Sequence, residues 1–276
     1  MTDIRTSAQS DDAVKARHRA MWASGDYATL ASDIIWPLGP RVVEAAEIHP
    51  GERVLDIAAG SGNVAIPAAL RGASVVASDL TPELLDRGRR LAVEAGAQLE
   101  WRVADAENLP FDDHSFDVVT SCVGVMFAPH HQQTADELLR VTRHGGRIAL
   151  LNWTPSGFIG SMFSALASFN APLPFGASPA PLWGDVDHVR QLLDDRVVDF
   201  SYERETLRVD RFAAPHSFRR YFAKNYGPTI AVYNRNADDI IQIAKLDAAL
   251  DELAGTWASF DGSLEWEYLL VTATVR

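Results

Sequence analysis

Apolar positions in the middle of the chain fall into two alternating rhythms. Between Arg53 and Trp153, short runs rich in Val, Ile and Leu recur: "RVLDIAA", "ASVVASDL", "LEWRVADA", "SFDVVTSCVGVMF" and "RIALLNW". Each has the length and punctuation of a strand. Between them lie "GNVAIPAALRG", "TPELLDRGRRLAVEAG" and "HQQTADELLRVTRHGG", whose apolar positions return at helical spacing. In the second of these, Thr81 is placed as N-cap, Pro82 at the first helical position and Gly96 just past the end. The third is predicted to end at Gly145 and Gly146. Strands alternating with helices predict a mainly parallel sheet with helices on both faces.

Outside this stretch the rhythm changes. The pattern from Asp12 to about Leu30 is helical, with Val14, His18, Met21 and Trp22 recurring on it. Pro37 and Pro40 break the next segment, and Val42 to Ile48 predicts a short helix. Residues 154–184, rich in Pro, Gly, Phe and Ala, read as an inserted helix and loop. "DVDHVRQLLDD" reads as a helix and "VVDFSYERETLRV" as a long strand. Residues 212–262 read as mostly helical, with Asn236 as an N-cap and Asp239 three residues on, close to a capping box. "EWEYLLVTATVR" reads as a last strand.

Composition narrows the functions. The chain has 276 residues and is 47% hydrophobic, enough for one large domain with a core of ordinary size. A net charge of -12 argues against a general nucleic-acid binder, which needs a basic face. Arg87, Arg89 and Arg90 read as a solvated helix face. With Cys122 as the single cysteine, no disulfide within the chain and no cysteine zinc cage is possible. The N-terminus lacks the apolar core of a signal peptide, and no apolar run approaches a membrane span. A cytoplasmic protein without a membrane span is expected.

The chemistry gathers at strand ends. Gly60 to Ala65 spell G-x-G-x-x-A at a strand-to-helix turn, a pattern that fits either a dinucleotide or another adenosine-bearing ligand. Asp79 ends the next strand, where a carboxylate accepts from a ribose diol under either reading. Asp56, just before the turn, would repel a pyrophosphate but suits a ligand with an ammonium group. Asp105 ends the third strand, where it can accept from an adenine amino group, with the Ala106 N–H beside the ring. The chain also lacks a second nucleotide-binding half.

Together "VLDIAAGSGNVA", "SDLTPELL", "DAENLPFDDHSFDVVTS" and "ELLRVTRHGGRIALLNW" resemble the class I S-adenosylmethionine (SAM)-dependent methyltransferases, in particular the type 11 domains of the ubiquinone/menaquinone-biosynthesis kind. The resemblance covers roughly residues 43–153. It implies a Rossmann-like α/β fold with a seven-stranded, mostly parallel sheet ending in an antiparallel strand, a role "EWEYLLVTATVR" suits. It further implies a helical lid segment over residues 1–42, and a methyltransferase domain over 43–276 with cap insertions at about 154–184 and 212–262. Asp56, Gly60 and Gly62, with Ser61, would frame the methionine end of SAM. Asp79 would take the ribose hydroxyls, Leu80 would pack on the adenine, and Asp105 and Ala106 would hold its edge. Cys122 would line the methionine side or be a small core residue. The family usually carries glycine where this chain has Ala58 or Ala59.

The expected reaction moves a methyl group from SAM to a small molecule and leaves S-adenosylhomocysteine. Proximity and orientation supply much of such a barrier, and only some acceptors need a general base. His130 and His131 follow the fourth strand, where they either act as a base or start a helix facing water. His18 shares a helix with Trp22, and nothing selects His216. Aromatic residues gather outside the shared core. As walls of an apolar acceptor pocket the candidates are Trp22, Trp36, Met126, Phe127, Trp153, Phe158 and Trp183. "SCVGVMFAPHH" offers neither the N-P-P-[YF] signature of amino-methylating nucleic-acid enzymes nor a carboxylate cluster for a metal, so no metal is required. The rivals are a nicotinamide-dependent oxidoreductase and a non-catalytic SAM- or S-adenosylhomocysteine-binding regulator.

Overall fold

A computed structural model describes the backbone of residues 2–276 and the side chains of residues 12–276. Seven strands form one sheet: β1 (Arg53–Ile57), β2 (Ser74–Asp79), β3 (Glu100–Val103), β4 (Phe116–Cys122), β5 (Thr142–Trp153), β6 (Val197–Val209) and β7 (Leu264–Val275). Their order is β3-β2-β1-β4-β5-β7-β6. β1 to β5 pair in parallel, and β7 runs antiparallel between β5 and β6. This is the expected α/β, Rossmann-like architecture. The chain builds outward from β1 in one direction, then returns to lay β4 on its other side. The reversal opens a crevice beyond the carboxyl ends of β1 and β4, the place where open α/β sheets bind ligands.

Burial follows position in the sheet. β1 and β4 are buried almost end to end, as central parallel strands covered on both faces must be. β6, at the edge, is largely exposed. Within the sheet's connections lie α4 (Ala65–Leu70), α5 (Pro82–Ala95) and α6 (His131–Val141). α5 packs on β2 and β3, and α6 on β4 and β5. α1 (Thr2–Ala23), α2 (Tyr27–Leu30) and α3 (Leu38–Ala45) precede the sheet. α7 (Phe158–Ala167) and α8 (Val186–Leu193) follow β5, and α9 (Pro215–Asn225), α10 (Gly227–Arg235) and α11 (Ile240–Trp257) fill the connection from β6 to β7. α7 and α11 pack against each other and against β7, with Phe158, Phe218 and Trp266 fully buried among them.

Three local expectations are corrected. α6 ends at Val141, not at Gly145 and Gly146, because Thr142 already pairs with Phe116 in the β4–β5 ladder. The cap of α11 is Asp239, whose carboxylate accepts from the Ile241 and Gln242 N–H groups at 3.0 Å. Asn236 instead closes α10, donating from Nδ2 to the Val232 carbonyl at 2.8 Å. Finally, α3 starts at Leu38, since Pro40 fits its first turn, where no N–H is needed.

Candidate cofactor and acceptor site

A cavity lies beyond the carboxyl ends of β1, β2 and β4, closed on one side by α1. Its floor is the turn after β1. Ala58 and Gly60 hold positive φ angles of 52° and 56°, so the backbone curls back and leaves space above it. The loop after β4 comes close to the same turn. Val123 also has a positive φ, 51°, and a Cβ on Gly124 would stand 2.7 Å from the Ala58 carbonyl oxygen. Only glycine fits there.

The acids divide into two kinds. Asp79 and Asp105 line the cavity, with Gly60, Leu80 and Ala106. The buried Asp79 carboxylate accepts from the Gly60 N–H at 2.9 Å and the Thr81 N–H at 2.8 Å, so it ties the turn to the end of β2. Burial raises its pKa, and these N–H groups counter part of that rise. Asp56 lies behind the turn and does not line the cavity. It is buried and accepts from the Ala65 N–H at 3.1 Å and the Thr120 hydroxyl at 3.0 Å. Burial pushes its pKa up to about 7. Ser61, Gly62 and Cys122 also sit away from the cavity. A Cβ on Gly62 would meet the Trp101 ring at 2.7 Å, so this glycine admits an indole from behind. Cys122 is buried and takes a 3.5 Å contact from Asn63 Nδ2.

At the end of the cavity beside β3 a cation enters. Lys15 of α1 pairs with Asp105 and, at 2.9 Å, with the buried Glu107. Glu107 in turn accepts from the His130 N–H at 2.6 Å and lies 3.1 Å from His130 Nδ1. His18 and Trp22 also line the cavity, so Lys15, His18 and Trp22 form one inward face of α1. Burial lowers the pKa of His18, leaving a neutral imidazole near pH 7. Lys15 escaped the sequence reading because it has no signature of its own. Its signal was its spacing from His18 and Trp22 on one helix face.

The aromatic candidates scatter. Trp22 and Phe127 line the cavity, and their rings meet edge to face with centroids 4.7 Å apart. Trp153 lines a second, narrow crevice that shares Tyr27 and Val123 with the first cavity. Trp36, Met126, Phe158 and Trp183 line neither. Trp36 packs on a small cluster around Ile66 and Ala92, while Met126, Phe158 and Trp183 are core. His131 is buried against Trp183, with its Nδ1 2.9 Å from His188 Nε2, so it neither faces water nor reaches the cavity. His216 lies in α9 and lines neither space. Tyr27, one of the aromatic residues outside the shared core, lines both spaces.

A methyltransferase-domain family matches residues 55–150, the stretch from β1 into β5 that builds this floor. "Uncharacterized protein Rv1403c" of Mycobacterium tuberculosis (strain ATCC 25618 / H37Rv) is 50% identical over 270 residues, covering 98% of each chain. The demethylmenaquinone methyltransferase of Clavibacter sepedonicus is 39% identical over 128 residues, covering 46% of this chain and 50% of that one. Among solved structures, the YcgJ protein of Bacillus subtilis superposes with a TM-score of 0.57 at 20% identity, over 87% of this chain and 97% of that one. A geranyl diphosphate methyltransferase in complex with SAM gives 0.54 at 18% identity, over 87% and 85%. The chain belongs to the class I SAM-dependent methyltransferases and is an enzyme of that class. The oxidoreductase reading falls with that placement. No described helix is long and apolar enough to cross a membrane.

Proposed function

We propose that the cavity under α1 takes SAM and that the enzyme methylates a small, apolar or aromatic acceptor. The observation that carries this is continuity. A cavity with carboxylates at two strand ends lies next to a crevice lined by apolar and aromatic side chains, with Tyr27 and Val123 in the walls of both. Bound SAM supplies a methyl group on a positively charged sulfonium. Asp79 accepts from the ribose hydroxyls, since each carboxylate oxygen keeps a lone pair beyond its present N–H partner. Leu80 and Ala106 flank the adenine, and Asp105 meets its edge beside Lys15. Asp56, Ser61, Gly62 and Cys122 act from behind, holding the turn in shape rather than touching the ligand. His18, neutral and facing the cavity, is placed to accept a proton if the acceptor must lose one.

Calorimetric titration with SAM, with NADH as control, tests the reading directly. SAM is expected to bind and NADH not. Asp79→Ala is expected to weaken SAM binding by about 1.5–3 kcal/mol for each hydrogen bond lost to the charged group. Unchanged affinity in a folded variant would place the ribose elsewhere. Methyl transfer to any acceptor separates an enzyme from a binding regulator.

A further inference from the structure

The crevice behind Tyr27 is apolar but not without polar atoms. Leu30, Ile35, Ile159, Met162 and Phe222 supply hydrocarbon walls, and no charged side chain lines it. Four side chains with a polar atom line it, the indole of Trp153 on β5 among them; the other three are Tyr27, Tyr226 and Trp266. These three arrive from separate places, α2, the junction of α9 and α10, and β7. The Trp266 N–H is buried with no hydrogen-bond partner. Neither tyrosine hydroxyl bonds to another described residue, although Tyr226 is only 5% exposed.

Three of the other four tyrosines behave differently, the fourth, Tyr202, being exposed. Tyr221 donates to Asp33 at 2.8 Å, Tyr233 to Asp247 at 2.6 Å and Tyr268 to Glu205 at 2.5 Å. A buried indole is normally paired, so the Trp266 N–H asks for a partner that the chain does not supply, with two tyrosines beside it in the same lining. That partner must accept hydrogen bonds. With no Lys or Arg at hand, a carboxylate or phosphate would enter without a counter-charge, at a large desolvation cost.

We propose that this crevice is the acceptor site, and that it selects a neutral aromatic or conjugated molecule whose hydroxyl or carbonyl oxygen is held by Tyr27, Tyr226 and Trp266. The proposal rests on the reading of the adjoining cavity as the SAM site. Tyr27 and Val123 belong to the walls of both spaces, so an acceptor held here lies next to the cofactor cavity. The crevice is narrow, and Met162 is the wall best able to yield, because an unbranched thioether repacks easily.

Ligand-observed fluorine NMR on protein saturated with S-adenosylhomocysteine tests this. The probes are 4-fluorophenol, 4-fluorotoluene and 4-fluorobenzoate, alike in ring and different in the group offered. The phenol is expected to bind at least fivefold more tightly than the toluene, and the benzoate not measurably. Tyr226→Phe is expected to reduce the phenol's advantage below twofold while S-adenosylhomocysteine affinity, read by calorimetry, stays unchanged. Equal binding of phenol and toluene, preference for benzoate, or no saturable binding to the S-adenosylhomocysteine-loaded protein would each overturn the proposal. The last result would mean that an ordered water satisfies the Trp266 N–H. Failure to take up S-adenosylhomocysteine at all is a different outcome, since it removes the cofactor reading and this inference with it.

Discussion

Ala58 carries backbone strain at the centre of the site. Its φ of 52° lies in the left-handed region, where a Cβ costs roughly 1–2 kcal/mol relative to glycine. Ala58→Gly is expected to release part of that cost, raising stability by about 1 kcal/mol after the greater freedom of glycine in the unfolded chain is counted. Chemical denaturation checks it, and a less stable variant would show that the turn is unstrained. Gly62→Ala is expected to do the reverse. It places a Cβ 2.7 Å from the Trp101 ring at a φ of 90°, and should cost about 1–3 kcal/mol in the same measurement. The G-x-G spacing announces a backbone angle, but not what the missing Cβ makes room for. Gly60 clears the cavity floor, while Gly62 clears an indole in the protein's own interior.

At the scale of elements, the described part of α1 is held mostly by polar and aromatic contacts. Among its described residues only Val14 is buried. It is held by Lys15 on Asp105 and Glu107, by Arg19 donating to the Leu80 carbonyl at 3.1 Å, and by Trp22 among Tyr27, Phe127 and Tyr226. Partly buried charge pairs outweigh exposed ones, and losing Lys15 takes a cation away from the buried Glu107 carboxylate. Lys15→Met is therefore expected to speed amide hydrogen exchange in residues 12–23 about tenfold, equivalent to about 1.4 kcal/mol. Exchange at the native rate would mean that Arg19 and Trp22 secure the helix without Lys15. The helical pattern of this segment was legible in its sequence. Its docking onto the β2 and β3 ends was not, because a polar helix carries no stripe that names its partner.

For the whole molecule, two buried groups give stability opposite slopes with pH. Asp56, with its pKa raised by burial to about 7, binds its proton more tightly folded than unfolded. Its contribution is full below the ordinary carboxylate range and is lost as pH rises towards 7. His131, lowered to about 4 by burial and by its histidine neighbours, binds its proton less tightly folded. Its contribution is present above about 6.5 and is lost as pH falls towards 4. Between pH 4 and 6.5 the two oppose each other. Thermal unfolding of Asp56→Asn is expected to remove the decline towards neutral pH, and His131→Gln to flatten the acid side. A His131→Gln profile that parallels the native one would show that the imidazole is not held neutral in the fold.

The sequence by itself determined the strands, most of the helices and the acids at the strand ends. These depend on local periodicity, on glycine at positive φ, and on the rule that a parallel strand delivers its last side chain to the binding edge. The resemblance across residues 43–153 rests on such features. What lies above the sheet was decided by tertiary structure alone. Phe158 and Trp183 were candidates for a pocket wall and instead pack inside, and Trp36 lies half-buried on another cluster, since an aromatic residue has the same composition whichever way it faces. Tyr27, Tyr226 and Trp266 lie far apart along the chain, and only the packing of α2 and the α9–α10 junction against the sheet beside β7 brings them around one crevice.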